Sequence, residues 1–188
     1  PVWTVFLGVT CAVALARPCP AAPPENLARS ARITASSEFS RDYAAANVAD
    51  GHIPGPMSHA DVGKAWATKA KHAATLTFEW PEPVTVAEIV YWGRTAWEWE
   101  ENFKTCAVHL DGAERPAVEA ALKAGHGPQR IRLPEAALVR RLVLDFASSY
   151  GGSNPGASEI GVYAAPPPKK ALGAFRGPNE PQIGRAHV

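Results

Sequence analysis

From Asn26 to about Ala165 the chain alternates apolar and polar residues in short runs, separated by Gly, Pro, Asn and Asp. Leu76, Phe78 and Trp80 alternate with Thr75, Thr77 and Glu79, the period of two expected of a strand with one buried face. The next run, Val84 to Trp92, is β-branched and aromatic. Pro81-Glu82-Pro83 before it predicts a break, so two strands joined by a turn are expected. Cys106, Val108 and Leu110 alternate with Lys104, Ala107 and His109 before a turn at Asp111-Gly112. Leu142, Leu144 and Phe146 alternate with Arg141, Val143 and Asp145, and Ile160 and Val162 close the series. Pro116 to Ala124 is the one stretch with a helical reading, and its residues are small. Many short strands with turn residues between them, and no internal repeat, predict an all-β sandwich or barrel rather than an α/β enzyme fold.

The two ends read differently. Val2 to Ala16 is almost wholly apolar or small, and Ala14-Leu15-Ala16 fits the cleavage pattern of a secretory signal. The run is shorter than the roughly 20 apolar residues of a membrane span, and the Pro-rich stretch Pro18 to Pro24 follows it. Residues 1–25 are therefore expected to be a signal-peptide remnant and leader, which predicts a secreted or periplasmic protein; the alternative is a buried helix of the domain. Because the chain opens on Pro1 with neither Met nor a basic flank, its true start is expected to be missing. Residues 26–165 form the expected domain. Residues 166–182, opening on Pro166-Pro167-Pro168-Lys169-Lys170, read as an extended linker or the start of a further region. Ile183 to Val188 matches one reading frame of a common sequencing-library adapter and is set aside from fold reasoning.

Composition narrows the function classes. Of 188 residues 46% are hydrophobic and 20% charged, which predicts a packed domain. A formal net charge of +1, from 19 basic and 18 acidic residues, provides no global field to draw in nucleic acid or an anionic membrane. Cys11, Cys19 and Cys106 form no C-x-x-C pair and no His cluster accompanies them, so no zinc site is expected. Cys106 lies in a strand pattern and reads as a buried structural thiol.

The order of motifs adds a resemblance. "NLARSARITASS", "AANVADG", the Trp of "KAWAT", "ATLTFEWPEPVTVAEIVYW", "FKTCAVHLDG", "VRRLVLDF" and "ASEIGVY" follow one another from Asn26 to Tyr163. This set resembles the coagulation factor 5/8 type C, or discoidin, domains, which are similar in fold to carbohydrate-binding module family 32. The resemblance implies an eight-stranded antiparallel jelly-roll-like β-sandwich, galactose-binding-like, whose loops at one end build the ligand site. It also implies a structural calcium site with side chains from Asp50 and Glu159 and carbonyls from Asn47, His52 and Ser158; oxygen donors of this kind suit a hard cation. Here Lys64 stands where the family has a Thr ligand two residues before Trp66, so that ligand is missing or displaced to Ser58 or Asp61. Two adjacent carboxylates need a cation, either calcium or the Lys64 ammonium. Failing both, Asp50 is a turn residue and Glu159 a solvated strand end.

Sugars present C–H faces to aromatic rings and hydroxyls to polar groups, so a sugar site calls for an exposed Trp or Tyr beside Arg, Asn, His or a carboxylate. "RTAWEWEENF" offers Arg94, Trp97, Glu98, Trp99, Glu100 and Asn102 in a loop between strands, although either tryptophan alternatively plugs the end of the sandwich. "SSYGGSNPGASE" adds Tyr150 and Asn154, and the resemblance adds His52 as a sugar contact. The expected function is a non-catalytic carbohydrate-binding module of a larger secreted protein, with a glycan as its partner. The alternative is a protein or cell-surface adhesion module. Catalysis is not expected, since the acids of "EWEEN" lie in one loop rather than opposed across a pocket.

Overall fold

The computed structural model describes residues 24–179. Cys11, Cys19, the signal-like run and the adapter-like tail lie outside them. Seven strands are present among the described residues: β1 (Arg32–Ala35), β2 (Trp66–Ala67), β3 (Ala74–Gly93), β4 (Thr105–Leu110), β5 (Val118–Ala121), β6 (Pro128–Phe146) and β7 (Gly156–Tyr163). All pairings are antiparallel. The expected eight become seven because β3 and β6 are long and run through a corner.

The corner explains why Pro81-Glu82-Pro83 does not end a strand. β3 pairs with β6 from Ala74↔Phe146 to Glu79↔Arg141 and again from Val84↔Val139 onward. The surplus residues, Trp80 to Pro83, fall in a register shift, where no ladder N–H is required and proline is tolerated. A second shift carries the surplus on β6 instead, between the partners of Val86 and Glu88, and contains Pro134. Arg140 fastens the bend by donating to the Pro81 carbonyl. Neighbours change across the bend. Before it, β3 and β6 lie between β1 and the β4–β5 hairpin; after it, β3 lies between β6 and β7, with β2 beyond.

The two halves fold face to face. Tyr91, near the end of β3, pairs with Gln129, whereas Phe146 pairs with Ala74 at the far end of the same ladder. Their rings are nevertheless 5.6 Å apart, which is possible only if the bent ladder closes into two layers. Leu76, Phe78, Leu142, Leu144, Ile89, Ile160 and Val162 are fully buried between them. Each such side chain contributes about 1.5–3 kcal/mol of transfer free energy, and the alternation read from the sequence assigns the correct face to Leu76, Phe78, Leu142 and Leu144.

Two expectations need correction. Pro116 to Ala124 is not helical: Val118–Ala121 is an edge strand on β4, its small residues alternating half-buried and exposed. The Pro166 segment is not free of the domain. It leads into α1 (Lys169–Leu172), whose Leu172 packs on Val90, Trp92 and Tyr163 on the outer face of the sheet. Beyond α1, Arg176 exchanges backbone bonds of 2.7 and 2.8 Å with His126. Cys106 is buried as expected, and burial pushes its thiol far above the ordinary cysteine range.

Candidate functional site

Three loops meet at one end of the sandwich, and backbone hydrogen bonds tie them together. The loop after β3 receives Met57 N–H on the Thr95 carbonyl and His59 N–H on the Ala96 carbonyl, at 2.9 Å each. From the other side Tyr150 N–H, Gly152 N–H and Gly156 N–H reach the carbonyls of Asn102, Glu100 and Glu101 at 3.0–3.2 Å. Asn102 is fully buried, and its side-chain amide donates to the Trp99 and Arg94 carbonyls at 2.9 and 3.3 Å. It lies so close over Gly93 that a Cβ there would fall 1.6 Å from Asn102 Oδ1; only glycine leaves room for this amide.

These ties shape a cleft of about 290 Å³, lined by Phe39, Tyr43, Arg94, Trp97, Glu98 and Asn154, among others. That is close to the lower end of the roughly 300–1,000 Å³ of small-molecule sites. Arg94 forms its floor. Its Nε donates to Asp61 Oδ2 at 2.7 Å, and its Nη1 lies 2.5 Å from Glu101 Oε2 and donates to the Asn154 carbonyl at 3.1 Å. The guanidinium also sits 5.0 Å from the Tyr43 ring centroid, in reach of a cation–π contact. Asp61 Oδ1 accepts from Tyr43 Oη at 3.1 Å and from Trp97 Nε1 at 2.8 Å, so one buried carboxylate positions three cleft side chains. Burial raises the Glu101 carboxyl above the usual range, and Arg94 offsets only part of that rise. Trp97 is 41% exposed, and His59 stacks on it with centroids 4.5 Å apart and planes 4° from parallel. The indole is therefore held from one face and open elsewhere.

Measured against the sequence-predicted set, Arg94, Trp97 and Asn154 line one cleft. The others do not join them. Asn102 is a buried brace and not a surface contact. Trp99 is half-buried outside the cleft lining. Tyr150 lines a separate open depression with Lys71, His72 and Lys104, its hydroxyl bound to the Leu122 carbonyl at 2.9 Å. His52 is exposed and contacts Asp50 on a different loop. Sequence reading did not single out Phe39, Tyr43 or His59, and it named Asp61 only as one alternative for a displaced metal ligand, whereas Asp61 lies beneath Arg94. A larger depression of about 480 Å³ over β4 and β5 has neither aromatic nor basic side chains in its lining.

The Asp50–Glu159 region forms a second cluster. Glu159, at 4% exposure, accepts Gly51 N–H on Oε2 at 3.1 Å and Asn26 Nδ2 on Oε1 at 3.2 Å. Burial is the main reason its carboxyl is pushed up to about 8, with Asp50 adding to the rise. Both Asp50 oxygens face His52, at 2.7 Å from its N–H and 3.3 Å from its ring. Asn47 turns its amide to the Asp42 and Ala65 carbonyls, and Ser158 Oγ donates to the Gly93 carbonyl at 3.3 Å. Calcium takes six to eight oxygens; the two carboxylates here already accept N–H groups, and the other members of the expected set are the backbone carbonyls of Asn47, His52 and Ser158. A cation of another kind is at hand: the Arg29 guanidinium packs on Gly51, 2.4 Å from where a Cβ would stand, and lowers the proton affinity of Glu159. Lys64 is exposed and forms no ion pair among the described residues. The cation that bears on Glu159 here is the exposed Arg29 guanidinium and not the Lys64 ammonium.

The fold has solved relatives. The chain is similar to the family 32 carbohydrate-binding module of NanJ from Clostridium perfringens, solved in complex with galactose, at 15% identity and TM-score 0.61, over 76% of this chain and 99% of that one. It is similar to chitosan-binding module 1 of a chitosanase/glucanase from Paenibacillus sp. IK-5, at 16% identity and TM-score 0.53, over 74% and 98%. A putative α-L-fucosidase from Bacteroides thetaiotaomicron matches at 19% identity and TM-score 0.58, over 74% of this chain but 28% of the enzyme. At these identities the likeness shows the fold: a mostly β, antiparallel, galactose-binding-like domain of the family 32 kind. No curated protein matches the chain. A family model does match, over residues 26–163, and by it the chain belongs to the domain of unknown function DUF7402.

Proposed function

We propose that the domain is a non-catalytic carbohydrate-binding module of an exported, larger protein, and that it holds a glycan in the Arg94–Trp97 cleft. The observation that carries this reading is the exposed Trp97 indole fixed over a cleft whose floor is a buried guanidinium. An aromatic plane accepts the C–H face of a sugar ring, and the guanidinium beside it directs hydroxyls. The fold is shared with modules solved with galactose or described as chitosan-binding, which supports the ligand class. Export rests on the signal-like run at residues 2–16.

The carboxylates are arranged for holding a cation. Glycoside hydrolysis sets two carboxyl groups across the scissile bond, roughly 5–9.5 Å apart depending on mechanism. Asp61 and Glu101 instead converge on one guanidinium. Protein or cell-surface adhesion is the second reading, favoured by the exposed Phe39, Ile53, Met57 and Val62. A glycan array probed with the whole chain, with glycoside turnover assayed in parallel, tests the proposal. Retention of glycans without turnover supports it. A blank array alongside tight capture by a purified surface protein replaces it with adhesion.

A further inference from the structure

We infer that the Arg94–Trp97 cleft selects a cationic amino sugar, a hexosamine bearing a free ammonium, over uncharged and acidic sugars; this rests on the carbohydrate reading above. The basis is the charge balance of the cleft. Arg94 is the one basic residue in its lining, against Glu98 and Glu101, with Asp61 directly beneath. The Arg94 charge is already committed, to Asp61 at 2.7 Å and to Glu101 at 2.5 Å. Glu98 is left over. Its oxygens accept from Ser153 N–H and Ser153 Oγ, each at 3.2 Å, and it has no cationic partner among the described residues.

Three carboxylates around one guanidinium leave a formal surplus of two negative charges at a small, partly enclosed site. A ligand carboxylate or sulfate placed there loses water and meets like charge. An ammonium meets the opposite situation: Glu98 at the rim as counter-ion and the open part of the Trp97 ring as a cation–π surface. The neutral donors on Glu98 hold the carboxylate in position without cancelling its charge, so it remains available to pair with a ligand. No lysine is in the cleft lining; Lys71 and Lys104 line the separate Tyr150 depression. The charge of an acidic polymer is thus unmatched in the cleft itself.

The test is calorimetric titration of the whole chain, near pH 6 and at low salt, with three oligomers of equal length: β-1,4-linked glucosamine, the same oligomer N-acetylated, and an oligogalacturonate. The glucosamine oligomer is expected to bind at least about tenfold more tightly than its acetylated form, a gap that narrows as salt is raised. Glu98→Gln is expected to remove most of that gap by weakening the glucosamine oligomer far more than its acetylated form, with the melting temperature unchanged. Equal or tighter binding of the acetylated or uronate oligomer overturns the charge selectivity and leaves the carbohydrate reading standing. A full gap persisting in Glu98→Gln overturns the counter-ion role. Absence of binding to all three and to a broad glycan array sinks the carbohydrate reading and this inference with it.

Discussion

Arg94 and Asp61, 33 residues apart in sequence, meet at 2.7 Å with their side chains 5% and 0% exposed. Removing one partner of a buried pair strands the other charge without water, at a cost of about 3–5 kcal/mol. Asp61 also anchors the Tyr43 hydroxyl and the Trp97 indole. The pair therefore couples the stability of the loop end to the shape of the cleft: the chain folds the cleft and its floor as one unit.

Asp61→Ala is accordingly expected to destabilise the domain by about 3–5 kcal/mol in urea unfolding, and to release Trp97 so that its fluorescence shifts to the red. A loss under about 1 kcal/mol with unchanged emission would show that Arg94 is adequately neutralised by Glu101 alone.

Trp97→Ala should behave differently. The indole is 41% exposed, and Asp61 keeps Arg94 and Tyr43 as partners when it is gone. Stability is expected to change by about 1 kcal/mol or less, against the roughly 3–5 kcal/mol of a core Trp, while retention on any glycan that holds the wild type disappears. Differential scanning fluorimetry beside affinity electrophoresis separates the two readings.

How far these features could be read in advance depended on whether their cause was local. Leu76, Phe78 and Trp80, like Leu142, Leu144 and Phe146, declare their face by period alone, because each strand meets one core. Pro81 to Pro83 misled because proline forbids a ladder bond only where the partner strand asks for one, and a register shift between β3 and β6 removes that demand. Trp97 and Asn154 were legible as loop residues beside a strand end. The burial of Arg94 was not, since its acid partners come from a distant loop and from Glu101, which sequence cannot distinguish from its neighbours Glu98 and Glu100. Tyr150 and Trp97 line different depressions, a separation hidden from the sequence, which places Tyr150 on a loop without saying which way the ring turns.

The Asp50–Glu159 cluster yields a third expectation. With Arg29 supplying the compensating charge, millimolar calcium should leave the melting temperature of the wild type unchanged, and chelation should do the same. A ligand bound only by the native state would raise it. Arg29→Met should lower the melting temperature, because it leaves Glu159 buried beside Asp50 without the guanidinium that offsets them. A calcium-induced rise in the wild type would return the site to a metal.

His126 provides a pH dependence with a definite sign. Its Nδ1 lies 2.9 Å from Thr95 Oγ1, and its backbone pairs with Arg176 in the segment after α1. Burial first, and the Arg176 charge second, lower its pKa below the ordinary 6.5. Between the folded value and 6.5 the unfolded chain binds a proton that the folded chain refuses, so stability is lost as pH falls through this window and is regained as pH rises. Glu159 acts oppositely: with its carboxyl pushed up to about 8 from 4.5, the unfolded chain ionises first, and stability falls as pH rises between those values. The informative quantity is thus the difference in unfolding free energy between wild type and His126→Gln, measured from pH 7.5 down to about pH 5. That difference should move against the wild type as pH falls, and the protection factor of the Arg176 amide, exchange taken relative to its intrinsic rate at each pH, should drop over the same range in the wild type only. A pH-independent difference would mean that His126 gains its proton as readily folded as unfolded, and that the Arg176 segment is held without regard to its charge.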